Sequence, residues 1–231
     1  MTATGFIAPS EAKAWHSRVA HAFSRAAPHY ASLAGAQLSM GEALWRHLPS
    51  CATAILDLGC GPGHWSSRLA SRYGARARVT GLDLAPGMLA EARDVHGERV
   101  QWLQADAGAL PLEQATQDVI FSNLAIQWCP DLDGVLSEIQ RVLRPGGRAL
   151  INTLGPGTLA EVGHAWSSSG LLGFRTREQH LASARLAGFD GIRLEERVER
   201  FFYPDLAAVM ASIKASAPRR HALMPVSPGR T

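Results

Sequence analysis

The chain has 231 residues, of which 46% are hydrophobic, and a formal net charge of +3 at neutral pH. This length suits one domain, or one domain with a small lid, and the apolar fraction is enough for a substantial core. The modest charge, with no dense run of Lys and Arg, argues against nucleic acid as the main partner.

Cysteine usage and the N-terminal residues indicate the compartment. The three cysteines, Cys51, Cys60 and Cys129, are odd in number and have no metal-ligand spacing, which favours reduced thiols. Residues 1–9 lack a basic region followed by a long apolar core, so no signal peptide is expected. No apolar run approaches the ~18 residues that span a bilayer. We therefore expect a cytoplasmic protein with no membrane segment and no metal site.

The first fifty residues predict two helices. Apolar residues recur at helical spacing over 10–27, with Ser10 suited to the N-cap and Pro28 expected after the helix end. A second helix is expected over 31–48. Because both helices precede the core domain, we expect residues 1–50 to form a helical cap over one end of it.

From residue 51 to 217, strands alternate with helices in a second domain. The expected strands are 54–58, 78–83, 100–104, 118–122 and 148–153, and the helices between them are 64–73, 86–95 and 132–143. This alternation predicts an α/β fold with a doubly wound, mostly parallel sheet and helices on both faces. Ligands of such sheets bind at the carboxyl ends of the strands, near the switch point. Asp57, Asp83, Asp106 and Asn123 fall near those ends.

The remainder of the chain is less regular. A helix is expected over 177–187, a β-like stretch over 192–203 and another helix over 205–215. Residues 218–231 contain three prolines and no apolar periodicity, so we expect a flexible tail there.

The most informative stretch, Ile55–His64, combines an apolar strand with three glycines at alternate positions and a following helix. A dinucleotide fingerprint needs Gly-x-Gly-x-x-Gly, but His64 takes the place of its last glycine. Asp57 precedes the first glycine, where a carboxylate would repel a pyrophosphate but would suit a ligand with a positive amino group. S-adenosylmethionine (SAM) is such a ligand, and a nicotinamide cofactor is the least favoured alternative.

The segment Asp57–Gly63 resembles the first motif of class I SAM-dependent methyltransferases, [DE]-x-G-x-G-x-G. The resemblance implies that the glycines pass beneath the cofactor and that Asp57 serves its amino-acid end. It also implies that Asn123 and Leu124 lie against the methionine part. The cofactor-binding positions implied are Asp57, Gly59, Gly61, Gly63, Asp83, Leu84, Met88, Asp106, Ala107, Asn123 and Leu124.

The same resemblance assigns the nucleoside end of SAM to the second and third strands. Asp83 ends the second strand, where the family holds an acid that accepts both ribose hydroxyls. Leu84 and Met88 would flank the adenine. Asp106, with the N–H of Ala107, would read the adenine amino group and ring nitrogen.

Four other segments point to one subfamily. Phe23–Tyr30 resembles its F-x-R-A-A-x-x-Y opening, and Ser122–Cys129 resembles its S-N-L-A-x-Q-W-C block. Thr153–Glu161 and Ser212–Lys214 resemble later segments. The subfamily is that of the malonyl-[acyl-carrier protein] O-methyltransferases of biotin synthesis, and the resemblance runs from about residue 17 to 216.

The resemblance implies methyl transfer from SAM to the free carboxylate of a malonyl thioester, carried by acyl carrier protein or coenzyme A, with S-adenosylhomocysteine as the second product. A carboxylate is ionised at neutral pH, so no general base is required. Tyr30, Gln127 and Trp128 are the candidates for holding the carboxylate near the transferred methyl. Arg25 or Lys214 would supply a positive charge to the substrate.

An acidic carrier protein implies a basic docking surface. The candidate clusters are Arg18/His21/Arg25, Arg193/Arg197 and Arg219/Arg220. Two alternatives stay open: a class I methyltransferase for another small acid or a quinone precursor, and a SAM-binding protein without activity. The second follows from the C-terminus, where we expect the last, antiparallel strand of the family fold to be missing.

Overall fold

A computed structural model describes residues 9–162 and 173–216 of the chain. The elements in chain order are α1 (Pro9–Leu33), α2 (Gly35–Trp45), β1 (Ala54–Leu58), α3 (His64–Tyr73), β2 (Arg78–Asp83), α4 (Pro86–His96), β3 (Gln101–Gln104), β4 (Gln117–Asn123), α5 (Leu132–Val142), β5 (Leu143–Asn152), α6 (Arg177–Leu186) and α7 (Leu206–Ser216). Within these two ranges, no helix has the length and apolar character needed to cross a membrane.

The five strands form one parallel sheet in the order β3-β2-β1-β4-β5. This confirms the predicted α/β fold. The chain leaves the sheet at β3 and returns on the other side of β1 as β4, which places the switch point between β1 and β4. The fifth strand starts earlier than expected, because Leu143 pairs with Gln117 before a register shift next to Val119.

Alternating side chains of the strands build a core on each face of the sheet. Ile55 and Val119 belong to the cluster on one face, which is covered by α2, α3 and α4. Leu56 and Ile120 belong to the cluster on the other face, which is covered by α5 and residues of α6. Every residue of β1 is buried, as expected for the central strand of a doubly wound sheet.

The two N-terminal helices are bonded to the sheet. Leu44 at the end of α2 is part of the core cluster. The side-chain amide of Asn123 donates to the carbonyl of Gln37 at 2.9 Å, and that of Asn152 donates to the carbonyl of Met40 at 2.6 Å. Because these asparagines end β4 and β5, α2 lies across the carboxyl edge of the sheet, while α1 packs on α4 and α7.

The prediction that the first helix ends before Pro28 was wrong, since α1 continues through this proline to Leu33. Pro28 cannot donate a backbone hydrogen bond, but tertiary contacts hold this part of the helix. Ser24 Oγ accepts the N–H of Gly87 at 3.1 Å, and Ala27 is buried against Met88 of α4. The second helix is shorter than predicted and covers Gly35–Trp45.

The β-like stretch over 192–203 was also predicted wrongly, because no strand forms there. Two of its apolar side chains are largely exposed among the described residues: Val198 is 81% exposed and Phe202 is 92% exposed. In the described part of the chain, β5 pairs only with β4, so its outer edge has no further strand. An apolar pattern predicts a strand only where another strand is available to pair with it.

Candidate cofactor and acceptor site

The glycine loop is fixed to the strands on both sides of β1. The amides of Gly59 and Cys60 both donate to the carbonyl of Leu82, at 2.8 and 3.0 Å, which holds the loop against β2. Gly59 has φ +73°, and a Cβ at this position would lie 2.2 Å from Cβ of Ala125. The loop after β1 therefore touches the loop after β4 at the switch point of the sheet.

The next glycine is not crowded by any described residue. Gly61 has φ +54°, and a Cβ built on it meets no atom of residues 9–162 or 173–216 within 4 Å. Its N–H donates to Oδ2 of Asp83 at 2.8 Å. Gly63 follows with its N–H bonded to the carbonyl of Cys60 at 3.1 Å and caps α3. The loop thus presents bare backbone on a side where a ligand can approach closely.

Asp83 at the end of β2 is held by the backbone through both carboxylate oxygens. Oδ2 accepts from Gly61 and Oδ1 accepts from Ala85, each at 2.8 Å. Burial raises the pKa of this carboxyl, and the backbone N–H groups of Ala85, Gly61 and Leu84 oppose the shift. Since each oxygen can accept more than one hydrogen bond, the carboxylate is a fixed pair of acceptors of the kind that suits a vicinal diol.

Asp57 is almost fully buried within β1, at 1% exposure. Ser66 of α3 donates to its Oδ2 at 2.5 Å. Burial raises the pKa of Asp57 to about 7, the hydrogen bond from Ser66 opposes the shift and the negative charge of Asp83 adds to it. The carboxyl is therefore close to half-protonated at neutral pH, and a cationic group beside it would ionise it. Ser66 has no sequence signal except its place in the first turn of α3.

Asp106, after β3, is bonded to a residue that the sequence analysis missed. His16 of α1 lies with Nδ1 2.8 Å from Oδ2 of Asp106, and the N–H of Gly108 donates to Oδ1 at 2.9 Å. The hydrogen bond with His16 lowers the pKa of Asp106, and the bond with Asp106 raises that of His16. One of the oxygens assigned to the adenine by resemblance therefore holds α1 in this structure. Nothing in the local sequence around His16 marks this contact.

His16→Gln is expected to remove a stabilisation that depends on pH. The raised pKa of His16 means that its contribution is present below its unfolded value of 6.5 and is lost as pH rises through the folded value. The lowered pKa of Asp106 means that its contribution is lost as pH falls below 3.8. The free energy of unfolding should therefore drop more at pH 5.5 than at pH 9, by an amount on the order of 1 kcal/mol or less because the pair is partly exposed. The midpoint of thermal unfolding should fall accordingly more at pH 5.5 than at pH 9.

The control for this prediction is His21→Gln, an exposed histidine on the same helix. Its midpoint should follow wild type at both pH values. Equal losses for His16→Gln at pH 5.5 and pH 9 would contradict the ion-pair interpretation.

An aromatic group from α1 covers the site. Tyr30 and Trp128 each stack edge-on against Phe23, with ring centroids 6.4 and 5.4 Å apart. The indole N–H of Trp15 donates to the carbonyl of Trp128 at 2.7 Å. Burial raises the pKa of Tyr30 to about 12, and the charge of Asp83 adds to the shift. Tyr30 thus lies on the Asp83 side of the site, packed with Ala85 and Met88 at the start of α4.

The loop after β4 is tightly constrained. Leu124 has φ +57°, which is unusual for a residue with a branched side chain. The side-chain amide of Gln127 donates to the carbonyl of Leu124 at 2.8 Å. The N–H of Trp128, one of the candidates for holding the acceptor carboxylate, donates to the carbonyl of Ala125 at 3.1 Å and is therefore used within the loop. The positive φ of Leu124 had no sequence signal.

The remaining predicted residues fall in three groups. Arg18, His21 and Arg25 are all exposed along the outside of α1. Arg193 and Arg197 are both paired with Glu195. The side chain of Lys214, the Arg219/Arg220 cluster and the tail 218–231 lie outside the described residues.

Two other findings complete the site. Ala107 packs partly buried against the α5 face of the core. Over the ranges 9–162 and 173–216, no group of three or more His, Cys, Asp or Glu side chains is placed to hold a metal ion.

Comparison with known proteins identifies the family. Residues 55–147 match a family model described as a methyltransferase domain. A malonyl-[acyl-carrier protein] O-methyltransferase of Methylococcus capsulatus is 39% identical over 224 residues, which are 93% of this chain and 80% of the relative. The biotin biosynthesis bifunctional protein BioHC of Cellvibrio japonicus is 39% identical over 86% of this chain, but this match covers only 40% of that longer relative.

Solved structures agree with the sequence relatives. A S-adenosylmethionine dependent methyltransferase from Mesorhizobium loti is similar with a TM-score of 0.58 and 29% identity, over 78% of this chain and 90% of that one. The chain belongs to the malonyl-[acyl-carrier protein] O-methyltransferase family of class I methyltransferases.

Proposed function

We propose that the protein transfers a methyl group from SAM to the free carboxylate of a malonyl thioester, giving the methyl ester used for the pimelate part of biotin. The observation that carries this proposal is the 39% identity over 93% of the chain to a relative with that name. The matched region includes the loop after β4, which borders the glycine loop and is the acceptor side of the site.

The residues present fit SAM. No atom of the described residues lies within 4 Å of a Cβ built on Gly61, and the cofactor passes the loop at this place. Backbone N–H groups fix both carboxylate oxygens of Asp83, and these oxygens suit the ribose hydroxyls as acceptors. Asp57 is a buried acid and would serve the amino group of the cofactor, either directly or through water. Met88 and Leu84 would flank the adenine, and Asn123 and Leu124 would lie against the methionine part.

Asp106 and Ala107 are kept as the adenine-reading pair in this proposal. One oxygen of Asp106 is bonded to Gly108 and the other to His16. Because a carboxylate oxygen accepts more than one hydrogen bond, the adenine amino group can share Asp106 with His16.

SAM supplies an electrophilic methyl group, and the protein has to align an acceptor with it. A malonyl carboxylate is ionised at neutral pH and is already nucleophilic, so the chain needs no general base. The aromatic group of Tyr30, Phe23 and Trp128 excludes water from the site, and Gln127 holds the loop at the acceptor side. Placement of this kind accounts for up to ~7–11 kcal/mol of a reaction barrier.

The carrier of the malonyl group is proposed to be an acyl carrier protein. The alternative carrier is coenzyme A, with malonyl-CoA as the substrate. The exposed Arg18, His21 and Arg25 of α1 form the basic surface for an acidic carrier, since α1 covers the site. Arg193 and Arg197 are less suited, because both are already paired with Glu195. The free cysteines are consistent with a reaction in the cytoplasm.

The proposal is tested by incubating the purified chain with SAM and malonyl-carrier protein. We expect a mass gain of one methyl group on the malonyl carrier and none on acetyl-carrier protein, which has no free carboxylate. Malonyl-CoA is the second substrate to compare, and a panel of small acids tests the alternative acceptors.

Transfer to another acid but not to malonyl thioesters would overturn the proposed substrate. SAM binding measured by calorimetry, without transfer to any acceptor, would support a SAM-binding protein without activity.

A further inference from the structure

A small cavity lies at the carboxyl ends of β4 and β5, the edge of the sheet that also carries the glycine loop. Its walls come from the loop after β4, the residues after β5 and the start of α6. The lining side chains are Gln127, Thr153, Leu154, Phe174, Arg175 and His180. Its volume is about 10 Å³, which is the space of one water molecule or one ligand oxygen.

Two buried polar atoms at this cavity have no hydrogen-bond partner in the described residues: Oε1 of Gln127 and Oγ1 of Thr153. The orientation of the Gln127 amide is set by its other end, because Nε2 donates to the carbonyl of Leu124. Unpaired buried polar atoms destabilise a fold and are rare in native structures. Two of them at one cavity indicate that their partner is a bound molecule.

The charge of the cavity selects an anion. Arg175 donates to the carbonyls of Pro130 and Cys129, at 2.7 and 3.4 Å, and these bonds use only some of the five N–H donors of a guanidinium. His180 has its Nδ1 2.9 Å from the carbonyl of Thr176, and burial lowers its pKa, so it is neutral at neutral pH. None of the described side chains lining the cavity is acidic. Among the described side chains that line the cavity, the positive charge of Arg175 is therefore the only formal charge.

We propose that this cavity is the subsite for the carboxylate of the methyl acceptor. The guanidinium of Arg175 pairs with the carboxylate at the mouth of the cavity. The single water that fits inside accepts the hydroxyl of Thr153 and donates to Oε1 of Gln127 and to one carboxylate oxygen. The second carboxylate oxygen keeps its lone pairs for the transferred methyl. The inference rests on the proposed function, since it assumes a carboxylate acceptor.

This subsite distinguishes the acceptor from its product. A carboxylate pairs with Arg175 through charge-assisted hydrogen bonds, whereas the methyl ester has no charge. We therefore expect the free acid to bind at least about tenfold more tightly than the ester, which corresponds to one charge-assisted contact.

The experiment is calorimetry on the full chain saturated with S-adenosylhomocysteine, with malonyl-pantetheine and its methyl ester as probes. Wild type should prefer the acid about tenfold or more. Arg175→Gln should bring the acid-to-ester ratio close to one, and Arg175→Lys should keep part of it. Arg185→Gln, an exposed arginine on α6, is the matched control and should leave the ratio unchanged.

Thr153→Val separates a binding role from a structural one. If the hydroxyl serves the ligand, its removal should weaken binding of the acid about threefold to tenfold and leave the midpoint of thermal unfolding equal or higher, because a buried unpaired atom is lost. This variant also covers the case in which Arg175→Gln fails to fold.

An unchanged acid-to-ester ratio in Arg175→Gln, or a lower unfolding midpoint with unchanged affinity in Thr153→Val, would overturn the subsite. Equal binding of acid and ester by wild type would also overturn it. The proposed function fails separately: wild type would show no methyl transfer to malonyl thioesters, while an Arg175-dependent preference for the acid would still support the subsite.

Discussion

Gly59→Ala is expected to lower the free energy of unfolding by about 3 kcal/mol, from a left-handed backbone and an overpacked contact together. The residue has φ +73°, and the new methyl would lie 2.2 Å from Cβ of Ala125. Gly61 has φ +54°, but the methyl added in Gly61→Ala would meet no atom of the described residues within 4 Å. This variant should therefore lower the free energy of unfolding by only about 1 kcal/mol. Urea unfolding followed by tryptophan fluorescence measures both values.

The double variant Gly59→Ala/Ala125→Gly isolates the contact between the two loops. Removing the methyl at position 125 relieves the clash and should recover about 1–3 kcal/mol of stability, the size of an overpacking effect. The strain from the positive φ of residue 59 should remain. No recovery in the double variant would show that the loops after β1 and β4 do not meet as closely as described.

Gly61→Ala should instead affect the cofactor. Its methyl would occupy the open space where the proposed SAM passes the loop, so SAM affinity should fall at least about tenfold while the fold is kept. Calorimetry with SAM on the folded variant provides the measurement. If Gly61→Ala binds SAM as tightly as wild type, the cofactor does not occupy the space over Gly61.

Asp57→Asn is expected to raise stability and to abolish SAM binding. Burial raises the pKa of Asp57 from 3.8 to about 7 in the folded protein, so the native state keeps a proton that the unfolded chain releases. Stability therefore falls as pH rises from about 4 to about 7, and the shift corresponds to a cost on the order of 4 kcal/mol above that window. Asparagine carries no charge and removes most of this cost.

The measurement is urea unfolding of the protein without cofactor at pH 5 and pH 8. Wild type should lose stability between these values, whereas Asp57→Asn should change less and should be the more stable of the two at pH 8. SAM affinity of wild type should rise with pH through 7, because the amino group of the cofactor favours the ionised carboxyl.

Ser66→Ala is the companion variant for Asp57, because it removes the hydroxyl that donates to the carboxylate. Its loss should raise the pKa of Asp57 further and shift the pH dependence of SAM binding upward. If Asp57→Asn were less stable than wild type at pH 8, the carboxylate would have a stabilising partner, and the burial argument would be wrong.

Much of the fold was predictable because its signals are local. Strand β1 is an apolar run interrupted only by Asp57, and the turn after it has glycine at each position of positive φ. Pro86 is a local signal for the first turn of α4. The alternation of strands with helices predicts the parallel sheet. The acids Asp57 and Asp83 were found because each ends or interrupts an apolar strand.

Other features depend on how distant elements pack. Pro28 is a local stop signal, yet contacts between Ser24 and Gly87 keep α1 intact through it. The stretch 192–203 has a strand-like pattern, but none of the strands in the described ranges lies beside it. In both places the local preference is weaker than the presence or absence of a packing partner.

The sequence by itself determined the order of the elements, the glycine loop and the nature of the cofactor, because periodicity, turn chemistry and a buried acid are properties of neighbouring residues. Only the tertiary structure decided that His16 bonds Asp106, that Tyr30 lies near enough to Asp83 to feel its charge, and that Arg175 lines one cavity with Gln127 and Thr153. These contacts join residues from distant parts of the chain, and their geometry follows from the crossing of helices over the sheet edge.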